Sequence, residues 1–228
     1  MKNDEIIKDI WNKKYIIDEL PGKKIPGIKR LRKSDGYYVK GTCIFIDLKD
    51  SSNFTSYVSS DRKTLRRIFA SFHLLMINVI KSFCSKNSLR VPRVEIAGDG
   101  LYCVFDIQDA QVNVLFDIFE EFYGALGELN SELVNRSIPP LYMGIGMHID
   151  DSLVFKLDGR KHIIWTGDLV NYSSKFSALA FTEECEFNEI IVSKNVYQIL
   201  SDKRIMKKRV CEKISEKCYG YEVKVDYK

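Results

Sequence analysis

Two short apolar runs with almost nothing between them constrain this chain most: RVEIA (93–97) and GLYCVF (100–105). Gly98-Asp99-Gly100 joins them, and Asp-Gly between strand-like runs predicts a tight hairpin. A helical pattern lies on each side. Upstream, Phe69, Phe72, Met76, Val79 and Phe83 recur at steps of three and four, one apolar stripe of a long helix. Downstream, Val112, Leu115, Phe116, Phe119, Phe122, Tyr123 and Leu126 form a second stripe, closed by Pro139-Pro140. Outermost are GTCIFIDL (41–48), continuous enough for a strand buried on both faces, and LYMGIGMHI (141–149).

The order is β-α-β-β-α-β, so the chain is expected to be α+β with a ferredoxin-like core. In that sheet the first two strands run the same way with the third between them. The end of strand one then lies beside the hairpin turn. Asp47 ends strand one and Asp99 is in the turn, so two carboxylates 99 − 47 = 52 positions apart should meet.

Additional strands and helices follow the core. They are LVFKL (153–157), a turn at Asp158-Gly159, HIIW (162–165), and a helix over 167–180 with Asp168 as its cap. IIVS (190–193), a short helix around 194–200 and strands near 208–212 and 219–225 complete the chain. Residues 1–36 read as a charged lead-in. Ile6, Ile7, Ile10 and Trp11 lie at helical spacing, and PGKKIPG (21–27) then breaks the chain. The body is taken as 37–228.

With 45% hydrophobic residues, the 228-residue chain has enough apolar surface for a sizeable core. Residues 1–40 carry 11 basic and 6 acidic side chains, 201–228 carry 9 and 5, and 41–200 carry 15 and 20. An acidic middle argues against a nucleic-acid partner. Six cysteines without a CxxC pair suggest reduced thiols, MKNDEIIKDIW has no apolar leader core, and no run approaches a membrane span. The expectation is a cytoplasmic protein with no membrane partner.

Two adjacent carboxylates repel unless a cation joins them. Hard, oxygen-liganded Mg²⁺ or Mn²⁺ suits such a pair, with substrate phosphates completing the shell. The alternative is that Asp99 only makes a turn and Asp47 only caps a loop.

FIDLKDSSNF (45–54) resembles the strand-one motif of class III nucleotidyl cyclases, the adenylate and guanylate cyclase type. RVEIAGDGLYCVF (93–105) resembles that family's hairpin, MGIGMHID (143–150) its Gly-Ile-His strand, and WTGDLVNYSSKFSAL (165–179) its final signature. The resemblance covers roughly residues 40–200. It implies that Asp47 and Asp99 hold two metal ions, and that Asn171 orients the ribose. Lys175 stands where the family usually has an arginine stabilising the reacting phosphate; a lysine lacks the bidentate fork. Lys49-Asp50-Ser51-Ser52 replaces the usual Gly-Phe-Thr, leaving backbone amides near Ser51 and Ser52 for the triphosphate. The resemblance also implies a head-to-tail homodimer whose sites lie between subunits, Asp47 and Asp99 from one, Asn171 and Lys175 from the other.

Base choice follows from two further positions. Glu95 falls where guanylate cyclases carry Glu, and Ile164 falls where adenine is met by Asp and guanine commonly by Cys. Isoleucine makes no hydrogen bond, which excludes the usual adenine contact and leaves guanine one short. A smaller base fits, and the chain resembles the stand-alone pyrimidine (Pycsar-type) cyclases of bacterial anti-phage defence. The expected reaction is UTP to cyclic UMP, with cytidylate or guanylate cyclase as alternatives. A catalytically silent nucleotide-binding module is the rival from another class. Lys213 or Lys217 could meet the terminal phosphates. Arg62, Lys63, Arg66 and Arg67 read as a solvated helix face, and His73, His148 and His162 as structural histidines.

Overall fold

The computed structural model describes residues 3–19, 31, 35–57, 61–106, 111–157, 163–180, 190–200, 205–215 and 218–225. Side chains are described up to Leu200, with a few exceptions in the N-terminal half. The Pro21–Gly27 break, the Asp158-Gly159 turn, His162, Lys217 and the Lys213 side chain lie outside the described residues.

Two long strands form the spine. Strand β2 (Asp35–Leu48) pairs antiparallel with β5 (Met143–Lys156), from Gly36 opposite Phe155 to Leu48 opposite Met143. The hairpin β3 (Arg93–Ala97) and β4 (Gly100–Phe105) joins the other edge of β2, with Ile46 opposite Leu101. The expected β-α-β-β-α-β order is therefore present. Beyond β5 come β7 (Ile190–Ser193), β9 (Cys218–Val225) and β8 (Ile205–Ser215), giving the sheet order β3-β4-β2-β5-β7-β9-β8. At the far end, β1 (Ile16–Glu19) pairs with β2 and β6 (Ile163–Thr166) with β5.

Alternation along β2 sorts its side chains between two faces. Ile44, Ile46 and Leu48 enter the main core, where α3 (Arg62–Lys86) contributes Ile68, Phe72, Met76, Ile80, Phe83 and Cys84. Helix α5 (Ile118–Asn135) adds Phe119, Phe122, Leu126, Leu129 and Leu133 to the same core. Helix α3 has the length and apolar content to cross a membrane, but its stripe is spent on this core. The opposite face of β2 is covered by α6 (Asp168–Leu179).

Several local expectations need correction. The expected strands 141–149 and 153–157 form one 14-residue strand, because β2 starts at Asp35 and pairs along its whole length. The second helical stripe is broken at Asp117 into α4 (Val112–Phe116) and α5. A short helix, α2 (Ser51–Tyr57), stands between β2 and α3, and Asp61 caps α3 by accepting from the Lys63 and Thr64 N–H groups. The hairpin loop is Gly98-Asp99, with Gly98 at φ 65°, while Gly100 already pairs with Ala97 in the ladder. A left-handed glycine at the first loop position is the type II′ pattern rather than the Asp-Gly pattern. Finally, Gly167 at φ 121°, not Asp168, caps α6. The remaining helices are α1 (Asn3–Asn12) and α7 (Lys194–Ile199), both as the spacing predicts.

Candidate active site

The carboxylates meet because a glycine lets them. A Cβ at Gly100 would stand 2.5 Å from the Ile46 carbonyl oxygen and 2.8 Å from Asp47 Oδ1. No side chain fits there, so the hairpin closes directly onto the end of β2. Asp47 is half-buried, and its carboxyl titrates above its ordinary value. Burial is the main cause, the negative charge of Asp99 the second, and an N–H bond from Leu48 tempers both. Among the described residues no ion pair joins either carboxylate, and no three His, Cys, Asp or Glu side chains form a metal cluster. Two converging, unpaired oxygen donors fit a hard divalent cation that takes its other ligands from water and substrate.

The chain then turns sharply. Asp50 adopts φ 52°, the Lys49 N–H donates to the Tyr142 carbonyl at 2.9 Å, and the Phe54 N–H donates to the Asp50 carbonyl at 2.9 Å. Ser51 and Ser52 thus open α2 immediately behind the carboxylate end of β2. The Thr55 hydroxyl donates to the Ser51 carbonyl at 2.7 Å and the Ser56 hydroxyl to the Ser52 carbonyl at 3.0 Å.

Helix α6 is seated as closely as the hairpin. A Cβ at Gly146 would meet the Ser173 carbonyl oxygen at 1.9 Å and the Ser177 nitrogen at 2.5 Å. The Ser173 hydroxyl, fully buried, donates to Leu169 at 2.8 Å and reaches the Cys43 carbonyl at 3.3 Å. Leu169 packs with Cys43 and Val104, and burial pushes the Cys43 thiol up to about 12. With Leu169, Ser173, Phe176 and Ser177 buried, Asn171 and Lys175 fall on the outward face one turn apart, and both are exposed. Ser173 anchors α6 at the level of Cys43, four residues before Asp47, which is about 13 Å of strand. The structure therefore brings Asp47 to Asp99 and sets Asn171 and Lys175 side by side on the exposed face of α6.

The expected base-reading residues also sit apart. Ile164 is half-buried on β6, opposite Phe155. Glu95 lies opposite Tyr102 and is ion-paired with Arg93, two residues before it on the same face of β3. Tyr102 stacks on Phe45 with ring centroids 5.7 Å apart, and its hydroxyl is pushed up to about 12 by burial and then by the Glu95 charge. Arg93 and Tyr102 are thus neighbours of Glu95 that sequence reasoning missed. The i, i+2 spacing of Arg93 was the available signal. His73 binds the Phe69 carbonyl through Nδ1 at 2.7 Å, and His148 is 4% exposed beneath α6.

Known proteins share this fold. Residues 37–222 match the family described as the adenylate and guanylate cyclase catalytic domain. A uridylate cyclase from Treponema porcinum is 28% identical over 86% of this chain, and one from Gulbenkiania mobilis is 28% identical over 76%. The matched regions span 66% and 69% of those relatives' lengths, so the chain covers about two thirds of each. Among solved structures, the guanylyl cyclase Cya2 superposes with a TM-score of 0.68 at 18% identity, covering 82% of this chain and 92% of its own. A bacterial light-regulated adenylyl cyclase gives 0.67 at 16%, covering 85% and 54%. Domains of this kind are metal-dependent, generally on Mg²⁺ or Mn²⁺. With the hairpin, the long spine strands and the α6 signature all falling inside the matched span, this chain belongs to the adenylate and guanylate cyclase catalytic domain family.

Proposed function

We propose that the protein is a nucleotidyl cyclase converting UTP to 3′,5′-cyclic UMP and pyrophosphate, a second messenger in bacterial anti-phage defence. The observation that carries the reaction is the convergence of Asp47 and Asp99, unpaired, at the end of β2. In the reaction the ribose 3′-oxygen forms a bond to the α-phosphorus, and the bond from that phosphorus to the β-phosphate oxygen breaks. Asp47 and Asp99 would hold two divalent ions, which would lower the hydroxyl pKa and neutralise phosphate charge. Asn171 orients the ribose, and Lys175 meets charge developing on the α-phosphate. Ser51 and Ser52, which open α2 directly after the carboxylate end of β2, are assigned the triphosphate.

The exposure of Asn171 and Lys175 on α6 supports a shared site. In this reading they serve the carboxylates of a second copy. The working unit is a homodimer with its sites at the subunit interface.

Uracil is supported by two features. The two relatives named above are uridylate cyclases. The Arg93–Glu95 pair offers a donor beside an acceptor, complementary to O4 and N3–H of uracil. Incubation with each of the four NTPs and Mn²⁺, with products identified by mass spectrometry, tests the reading. Cyclic UMP is the expected main product. Cyclic CMP or cyclic GMP as the main product overturns the base assignment, and no turnover of any NTP returns the silent-module reading.

A further inference from the structure

Lysine is a poor replacement for arginine where a charge must be held in one position. Its ammonium rides on a flexible four-carbon stem, whereas a guanidinium fork is preorganised. In this structure the stem is not left to itself. Lys175 Nζ lies 5.2 Å from the centroid of the Tyr172 ring, three residues earlier on the same helix. Tyr172 is in turn fixed from below. Its ring stacks on that of Phe176 at 6.3 Å and 28°, and the edge of His148 meets it at 5.5 Å and 86°. Phe176 is fully buried and also receives His148, at 5.9 Å and 75°. His148 itself belongs to the central strand β5, with Nε2 3.3 Å from Asp150 Oδ2. An unbroken set of contacts runs from the sheet through an aromatic cluster to the exposed ammonium.

We propose that Tyr172 is a positioning residue for Lys175: its ring, braced by Phe176 and His148, confines the ammonium and supplies the order that an arginine fork would bring. The proposal rests on the assignment of Lys175 to the reacting phosphate. A cation–ring contact at an exposed site biases conformer populations by about two- to fivefold, and that is the size of effect expected in kcat.

Two measurements test it. The first needs no turnover. In ¹³C-resolved NMR of the intact protein, the Lys175 ε-methylene protons should show an upfield ring-current shift. Tyr172→Leu should abolish that shift and Tyr172→Phe should keep it. An unshifted Lys175 resonance in the unmodified protein overturns the proposal, whatever the protein catalyses. The second measurement is kinetic. Tyr172→Leu should lower kcat about fivefold with KM unchanged, Tyr172→Phe should restore most of it, and adding Lys175→Arg to Tyr172→Leu should rescue the loss. In a Lys175→Ala background, Tyr172→Leu should cost nothing further. Equal losses in all backgrounds, with a matching fall in Tm, would show that Tyr172 acts only through packing and would overturn the proposal. A Lys175→Ala variant with undiminished kcat would instead remove Lys175 from the chemistry, a failure of the underlying assignment that leaves the NMR result standing on its own.

Discussion

Asp47 and Asp99 are fixed by backbone, one at a strand end and one in a two-residue turn, with a glycine between them that admits no side chain. Asn171 and Lys175 are fixed by helix phase on an exposed face of α6, with Lys175 over the ring of Tyr172. The first pair has almost no freedom to move without breaking the sheet. The second pair depends on how α6 is seated and on flexible side chains. A site assembled from these two parts combines a rigid charge clamp with an adjustable binding face, and the two should fail in different ways.

The largest expected effect is at the clamp. Asp47→Ala or Asp99→Ala should lower turnover by at least ~100-fold, about 2.7 kcal/mol, while circular dichroism stays native. More than a tenth of the activity left in both variants would remove them from the metal site. Next comes a mixing experiment. Asp47→Ala and Asn171→Ala homodimers should each be inactive, whereas mixed subunits should recover to about a quarter of the original activity, one intact site in half of the dimers. Failure to recover after confirmed subunit exchange would mean that each protomer carries a whole site.

The two glycines sharpen the contrast at the level of stability. Gly100→Ala and Gly146→Ala each force a methyl onto backbone atoms, and each should cost about 1–3 kcal/mol in urea unfolding. Their functional signatures should differ. Gly100→Ala should remove the thermal stabilisation by Mn²⁺, expected to be about 1.4 kcal/mol at tenfold over its Kd. Gly146→Ala, which lifts α6, should leave that response intact. The smallest effect concerns pH. A carboxyl whose folded pKa is raised contributes stability at low pH and loses it as pH rises through the raised value. Without metal, Asp47→Asn should therefore show a higher Tm than the unmodified protein at neutral pH. The difference should disappear below the ordinary carboxylate range, and its persistence there would assign the gain to something other than charge.

The clamp was legible in the sequence because topology alone creates it. An apolar run ending at Asp47 and a turn holding Asp99 meet in any sheet with this order. The turn chemistry was less legible: Gly98-Asp99-Gly100 fits two loop choices, and only the packing of Gly100 against Ile46 decides between them. Strand lengths were also hidden. Asp150 and Asp151 look like a loop, yet Asp151 N–H bonds to the Asp150 side chain at 2.8 Å and the ladder continues through them. The surroundings of Glu95 and Lys175 could be read only in part, since Tyr102 and His148 reach them from other strands.

The spine pairing has a consequence in time. Leu48 and its partner Met143 are 143 − 48 = 95 residues apart, and the far end of β2 waits longer still. During synthesis at ~5–20 residues per second, one edge of β2 stays bare for roughly 5–20 seconds after the strand leaves the ribosome. The hairpin covers the opposite edge much earlier, once Phe105 is made. For that interval the nascent chain displays GTCIFIDL, an uncharged apolar run up to Asp47, along an open strand edge. The segment that carries Asp47 is thus also one that exposes an apolar strand edge while the chain is being made.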